Sequence, residues 1–280
     1  MKKRIKYFED LITEINRLRN LKGAGNWDEV RSADNFIMVE RKYSFGTRNC
    51  YKLKTDIDPV YTSLQASRGL PWDEITSAIE KSETSENVIN NLDTTQFMIP
   101  DDGDLLRVKE IEQIWDMPQF DVQGNDHSGF VELGFRAPKL MKHYGEKYDI
   151  KTWGYDIAPL SIAVAKKMGY EGRLYDFNSC SEPLDLTGAS LVVSYHMLEH
   201  LSDPLVAVEK IYESMDKGAF FHVEIPIEPG NPRLRYAHMF AFHPDDMLHM
   251  LRESGFTTLT VSNHTHEGGG LIERYMARKI

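Results

Sequence analysis

Tyr195, His196, Glu199 and His200 lie within six consecutive positions and together offer two imidazoles, a carboxylate and a phenol. Such groups can move protons, bind a metal ion or contact a polar ligand. The residues just before them, 191–194, form a short apolar run rich in β-branched side chains. That composition is typical of a strand buried on both faces of a parallel sheet. Because open α/β sheets bind ligands at the carboxyl ends of their strands, the sequence predicts a functional site here.

The spacing His196-x-x-Glu199-His200 also matches the inverted motif of zinc proteases. That chemistry needs both histidines on one face of one helix. The signal for a helix start, a capping Asp203 followed by Pro204, comes only after the motif. We therefore expect the motif to be divided between a strand end and a loop, which argues against a protease.

Seven segments after residue 126 have the composition of strands, and helical segments separate most of them. The strands are expected at 130–134, 152–156, 172–175, 191–195, 219–225, 256–261 and 271–277. Strands that alternate with helices predict a doubly wound, mostly parallel sheet, and hence an α/β fold. The last two strands have no helix between them, so we expect them to pair antiparallel at one edge.

Residues 1–125 are assigned to an N-terminal extension of mixed α and β elements, acting as a lid or an interaction region. Apolar residues at helical spacing span 5–21 and need a partner surface, so a homodimer through this helix is one expectation. Residues 36–54 alternate loosely and predict one or two strands. The pattern changes after residues 124–126, so we place the second domain at 126–280.

The composition is that of an ordinary globular protein, with 41% hydrophobic and 27% charged residues. A formal net charge of −10 argues against a nucleic-acid partner, because nucleic-acid binding relies on basic surface. No apolar run approaches the ~20 residues that cross a bilayer, so we expect no membrane partner. Cys50 and Cys180 are far apart and form no disulfide framework. The charged N-terminal residues do not resemble a secretory signal, and we expect a cytoplasmic protein.

Two segments resemble class I S-adenosylmethionine-dependent methyltransferases. Residues 195–204, Tyr-His-Met-Leu-Glu-His-Leu-Ser-Asp-Pro, resemble the motif after strand four in the small-molecule branch that includes ubiquinone-biosynthesis O-methyltransferases. Residues 240–256 resemble the final helix of that branch and its closing glycine-phenylalanine. The resemblance covers residues 126–280 and implies a Rossmann-like methyltransferase fold. It also implies a transferase that uses S-adenosylmethionine to methylate an oxygen or nitrogen of a small-molecule substrate. The alternative is a catalytically silent protein of this fold that acts by binding a partner.

The resemblance also implies which residues hold the cofactor. Asp156 ends the second strand, 22 residues after Gly134, close to the ~20 expected of an acid that binds ribose hydroxyls. The other interpretation of Asp156 is a cap ahead of the helix that begins at Pro159. After the third strand an acid and an aromatic ring would meet the adenine, and the residues after strand four would line the methionine end. The candidate cofactor-binding residues are Glu132, Gly134, Arg136, Asp156, Ile157, Asp176, Phe177, Tyr195 and His196.

The first loop departs from the pattern of that family, which carries several glycines after strand one. Here the loop at 134–138 keeps only Gly134, preceded by the expected acid at Glu132. Arg136 and Pro138 replace the later small residues. We expect the loop either to narrow the cofactor pocket or to swing outward. The same loop argues against a nicotinamide cofactor, which requires Gly-x-Gly-x-x-Gly.

Glu199, His200 and His238 are the candidate catalytic residues. The segment around His238 resembles one with which metal-dependent RNA-end and quinone-precursor methyltransferases supply a histidine ligand, although those relatives carry a glutamate at the position of His196. A divalent ion held by the three residues is therefore one alternative. A second is that His200 or His238 is a general base, because imidazole titrates near neutral pH. We expect the third arrangement, in which hydrogen bonds rather than a metal ion hold these histidines.

Overall fold

The computed structural model describes residues 36–54, 77–78, 81–82, 85–99, 102–115, 129–178, 182–233, 237–265 and 270–280. The described residues form two compact units. The first holds the described residues between 77 and 175, and the second holds residues 36–54 together with those from 176 onward. The predicted boundary at residue 125 falls between described segments and stays a prediction. The predicted helix at 5–21 also lies outside the described residues. Among the helices described, none is long and apolar enough to span a membrane.

The first unit contains three parallel strands in the order β5-β4-β3. Its elements are α1 (Ser85–Asn91), α2 (Asp102–Trp115), β3 (Gly129–Leu133), α3 (Lys139–Tyr148), β4 (Thr152–Asp156), α4 (Pro159–Lys167) and β5 (Glu171–Leu174). Every residue of β3 is buried, as expected for a strand covered on both faces. Helix α4 begins with Pro159 at a position where the missing N–H costs nothing. Its last residue, Lys167, donates to three carbonyls at the end of α1 and so ties the two helices together.

The second unit contains the remaining strands of the main sheet. Its elements are the hairpin β1 (Phe36–Tyr43) and β2 (Gly46–Leu53), then β6 (Ala189–Tyr195), α5 (Pro204–Ser214), β7 (Phe220–Ile227), α6 (Asp246–Ser254), β8 (Thr257–Thr265) and β9 (Leu271–Arg278). Strands β6 and β7 pair in parallel, whereas β9 pairs antiparallel with both β7 and β8.

Seven strands, β3 to β9, therefore make up the mostly parallel sheet of a mixed α/β fold, as the sequence predicts. The antiparallel final pair is confirmed as well. Helix α1 is not predicted from the sequence, because its residues are mostly polar and show no apolar stripe.

The hairpin in the N-terminal part packs within the second unit rather than standing apart. The predicted strands in 36–54 are confirmed as an antiparallel pair. The Tyr51 N–H donates to the Met239 carbonyl at 2.7 Å, which ties β2 to the segment that carries His238. Arg48 donates to both carboxylate oxygens of Asp246 at the start of α6, with Nε 2.7 Å from Oδ2. The hairpin thereby holds the loop between β7 and α6.

Candidate functional site

Strand β6 ends at Tyr195, and the chain turns sharply at His196, whose φ is +50°. A non-glycine residue adopts this left-handed conformation at a free-energy cost that its surroundings must offset. The backbone supplies one compensating contact, because the His196 N–H donates to the Glu224 carbonyl of β7 at 3.2 Å. A single turn of 3-10 helix, Leu198–His200, follows, and α5 begins only at Pro204. The expected division of the His-x-x-Glu-His motif is therefore confirmed, and its histidines do not share a helix face.

The imidazole of His196 bridges two buried carboxylates. Its Nδ1 lies 3.1 Å from Glu199 Oε1, and its Nε2 lies 2.9 Å from Glu224 Oε1. Because carboxylate oxygens accept, both ring nitrogens must donate, and the ring is an imidazolium. Burial acts to lower the pKa of His196, but the hydrogen bonds to Glu199 and Glu224 outweigh it and raise that pKa to about 9. Arg274 donates to the other oxygen of Glu224 and completes a buried charge network.

Glu199 lies at the centre of the site and is 1% exposed. Burial acts to raise its pKa, yet the hydrogen bond and charge of His196 prevail and lower the pKa of Glu199 to about 2. Its Oε1 bonds His196, whereas its Oε2 is buried without a hydrogen-bond partner. A buried carboxylate oxygen without a donor costs free energy, so Oε2 is the atom of Glu199 that a bound ion or donor would stabilise.

His200 is oriented by a backbone carbonyl. Its Nδ1 lies 2.9 Å from the Ala237 oxygen, which can only accept, so Nδ1 carries the proton. Burial is the largest influence on His200 and lowers its pKa, and the neighbouring His238 adds to this effect. A neutral His200 with its proton on Nδ1 presents an Nε2 lone pair that can bind an ion or accept a proton.

His238 is held by a carboxylate rather than a carbonyl. Its Nδ1 lies 2.6 Å from Glu228 Oε2, and its ring centre lies 5.2 Å from that of His200. Burial acts to raise the pKa of Glu228, but the hydrogen bond with His238 outweighs it and lowers that pKa. Arg233 lies 3.6 Å from the other oxygen of Glu228. With Nδ1 committed to Glu228, Nε2 is the nitrogen of His238 that an ion would take.

Glu199, His200 and His238 fit a divalent metal ion. Each offers one ligand atom, and these atoms all lie within 4.8 Å of one another. Two imidazoles and one carboxylate are the donors that zinc and related divalent ions bind. Histidine ligands usually donate their other ring N–H to a carbonyl or carboxylate, as His200 and His238 do here. Hydrogen bonds are present at both histidines, as the sequence predicts. They involve Nδ1 of each ring, so they are compatible with an ion bound at Nε2.

The first loop of the first unit accommodates its large residues in two ways. Phe135 is buried beside β4 and β5, and a Cβ placed on Gly154 would lie only 2.5 Å from its ring. The aromatic side chain is therefore part of the core. Arg136 is exposed and adopts a left-handed conformation, with φ at +49°. The sequence predicts that this loop either narrows the cofactor pocket or swings outward. Both possibilities concern a bound cofactor, so they stay predictions.

Asp156 anchors that loop. Its Oδ2 accepts the Arg136 N–H and its Oδ1 accepts the Ala158 N–H, each at 2.8 Å. Asp156 is 5% exposed, and burial raises its pKa to about 6 against the opposing effect of these N–H groups. The contact to Ala158 is the helix-approach cap that the sequence suggested as an alternative. A carboxylate oxygen can accept more than one hydrogen bond, so binding of ribose by Asp156 stays a prediction.

Glu132 at the end of β3 is also buried, and its Oε2 has no hydrogen-bond partner. Burial is the largest cause that raises its pKa well above the usual range, and the nearby Asp104 adds to it. Asp104 belongs to α2 and pairs with Lys139 at 3.0 Å and with Arg107 at 3.1 Å. Nothing in the sequence of α2 indicates a functional role, because its charged residues come together with β3 only in the folded chain.

The other candidate cofactor residues lie at strand ends. In the first unit, Ile157 follows β4 and is partly buried. In the second unit, Asp176 Oδ1 accepts the Asn178 N–H at 2.9 Å, and Phe177 is buried. The Tyr195 hydroxyl lies 2.6 Å from His222 Nδ1 in the core of the second unit. These positions agree with the strand ends that the sequence predicts, whereas their contacts with a cofactor stay predictions.

Comparison with known proteins identifies structural relatives but no sequence relatives. No family model matches the chain, and no curated protein matches its sequence. A phosphoethanolamine N-methyltransferase 2 of Haemonchus contortus, solved with phosphomonomethylethanolamine and S-adenosylhomocysteine, matches with a TM-score of 0.57 and 11% identity. That match covers 84% of this chain and 63% of the other.

Two further matches have lower TM-scores. The cyclase SpnF matches with a TM-score of 0.48 and 14% identity, over 61% of this chain and 81% of its own. An S-adenosylmethionine-dependent methyltransferase of Mesorhizobium loti matches with a TM-score of 0.43 and 14% identity, over 58% of this chain and 96% of its own. The match to the Haemonchus protein, together with the mostly parallel seven-stranded sheet, shows that the fold of the chain resembles that of Rossmann-like methyltransferases.

Proposed function

We propose that the protein transfers a methyl group from S-adenosylmethionine to an oxygen or nitrogen of a small molecule, with a divalent ion at Glu199, His200 and His238. One observation carries the proposal. A buried carboxylate with an unpartnered oxygen and two oriented imidazoles lie together just beyond the carboxyl end of β6. Sheets of this type bind their ligands at that edge.

The chain's own residues would prepare the acceptor. When bound, the cofactor would supply an activated methyl group, and an ion held by Glu199, His200 and His238 would lower the pKa of an acceptor hydroxyl. By holding the ion, these three residues would fix the acceptor atom at a defined point, which is the positioning that an in-line displacement requires. Should an ion not be needed, Nε2 of the neutral His200 accepts the proton instead.

The cofactor roles proposed from the resemblance are distributed along the strand ends of each unit. In the first unit, Glu132, Gly134 and Asp156 are proposed to contact the adenosyl and methionine groups. In the second unit, Asp176 and Phe177 are proposed for the adenine. The bound S-adenosylhomocysteine in the Haemonchus relative supports this class of cofactor for the fold. The ubiquinone-biosynthesis branch is our proposal for the acceptor class, which makes a phenolic hydroxyl the first acceptor to test.

A different function is favoured by the first loop. Phe135 is buried and both oxygens of Asp156 are bonded to the backbone, which would suit a silent protein that binds a partner. Calorimetry with S-adenosylmethionine and S-adenosylhomocysteine separates the two functions. We expect both compounds to bind. If no heat of binding is measured at millimolar concentrations of either compound, the proposal of an enzyme is wrong.

The metal is tested separately. Treating the protein with a chelator should abolish methylation of a catechol, and Zn²⁺, Mn²⁺ or Co²⁺ should restore it. Full activity after chelation would show that the proposed ion is wrong, and His200 would then be the proposed general base. A homodimer through the N-terminal helix and a cytoplasmic location remain predictions from the sequence.

A further inference from the structure

The network behind Glu199 deepens the proposed function, on whose ion it rests. His196 is placed by the resemblance at the methionine end of a cofactor. In the structure both of its ring nitrogens are bonded to carboxylates, Nδ1 to Glu199 and Nε2 to Glu224. Neither nitrogen has a proton or lone pair left for another polar ligand.

We propose that His196, backed by Glu224 and Arg274, is a positioning residue that presents Glu199 to the ion through a single oxygen. Nδ1 of His196 holds Oε1 at 3.1 Å, so that Oε2 remains as the ligand atom. A carboxylate without such a partner could rotate and bind through both oxygens. The hydrogen bond from Nδ1 of His196 would prevent this rotation, so that a bound ion would keep positions for the acceptor.

Glu224 and Arg274 explain how the imidazolium itself stays in place. Glu224 is fully buried on β7, and it accepts from His196 through Oε1 and from Arg274 through Oε2. Two cations, the half-buried His196 and the buried Arg274, balance two buried carboxylates, so that no charge in this network is left alone. The left-handed backbone at His196 is also secured by Glu224, whose carbonyl accepts the His196 N–H at 3.2 Å.

The experiment measures metal affinity without the cofactor. The wild-type protein and His196→Ala are stripped of metal and titrated with Zn²⁺ against a chromophoric chelator, and Co²⁺ spectra report the coordination. We expect His196→Ala to weaken Zn²⁺ binding about 10–100-fold, the usual effect of removing a partner of a metal ligand. The Co²⁺ absorption should also change, because Glu199 is free to bind through two oxygens.

Two further variants make the result specific. His196→Gln keeps one N–H donor group and should lie between the wild type and His196→Ala. The control is His222→Gln, which replaces another imidazole of the second unit, one that is bonded to the Tyr195 hydroxyl. It should bind Zn²⁺ as the wild type does.

The outcomes separate the two proposals. If the wild type binds neither ion, the metal of the proposed function is wrong. If the wild type binds and both His196 variants match it in affinity and Co²⁺ spectrum, the positioning role is wrong. Circular dichroism checks that His196→Ala folds; if it does not, His196→Gln alone decides, and wild-type affinity in that variant overturns the role.

Discussion

Nδ1 of His238 lies 2.6 Å from Oε2 of Glu228. Through this contact the carboxylate orients the ring of His238, a candidate metal ligand. Such a carboxylate fixes the tautomer of the imidazole and strengthens its other nitrogen as a ligand. Glu228 follows directly after β7, and His238 lies in the loop before α6, so the contact also closes that loop.

Glu228→Gln should therefore weaken Zn²⁺ binding about 10-fold or more, because the amide is a poorer acceptor than the carboxylate. The measurement is competition with a chelator. The control is Glu112→Gln, which alters another carboxylate–histidine pair, Glu112 with His143 at 3.0 Å in the first unit. The control should leave the affinity unchanged. Equal loss in both variants would show a general effect on folding instead of a role at the site.

Asp156 should make stability depend on pH in the direction opposite to a salt-bridged carboxylate. Its pKa is raised from 3.8 to about 6 by burial, so the folded protein binds its proton more tightly than the unfolded chain does. Its contribution is present below about pH 4 and is lost as pH rises through 6. The loss amounts to about 3 kcal/mol, taking 1.36 kcal/mol for each pH unit between the two pKa values.

The check on Asp156 compares urea unfolding of the wild type and Asp156→Asn between pH 4 and pH 7. As pH rises from 4 to 7, the free energy of unfolding of the wild type should fall relative to that of Asp156→Asn, because the amide of the variant does not titrate. All other groups titrate equally in both proteins and cancel. A difference that stays constant with pH would mean that the pKa of Asp156 is not raised.

Gly154→Ala should destabilise the first unit, because the new Cβ would lie 2.5 Å from a ring carbon of Phe135 and 3.0 Å from the Glu132 carbonyl. Overpacking of this kind costs about 1–3 kcal/mol. Thermal unfolding measures it. Gly270→Ala is the control, since a Cβ there meets nothing within 4 Å. Adding Phe135→Leu to Gly154→Ala should recover part of the loss; no recovery would place the strain elsewhere.

Arg48→Ala should loosen the hairpin from the second unit. The variant leaves Asp246, which is 1% exposed, without its ion-pair partner. Removing one partner of a buried pair costs about 3–5 kcal/mol, although the His243 N–H at 2.9 Å still stabilises Asp246. Chemical denaturation provides the measurement. Glu171→Ala, which breaks the more exposed pair with Arg173, should cost at most about 1 kcal/mol.

The sequence alone determined the architecture and predicted the location of the candidate site. Alternating apolar segments, with Pro159 and Pro204 at helix starts, predict the order of strands and helices because local periodicity reflects burial. The run at 191–194 likewise places His196 and Glu199 at a strand end, where such sheets bind ligands.

Only the tertiary structure decided what each polar side chain does. Glu224 and Arg274 lie on β7 and β9, far from His196 along the chain, and only their pairing in the sheet brings them together. The structure likewise shows that Asp156 bonds the Arg136 and Ala158 N–H groups and that Glu228 holds His238. Hydrogen bonds and buried charges depend on contacts between distant segments, and these leave no periodic pattern in a sequence.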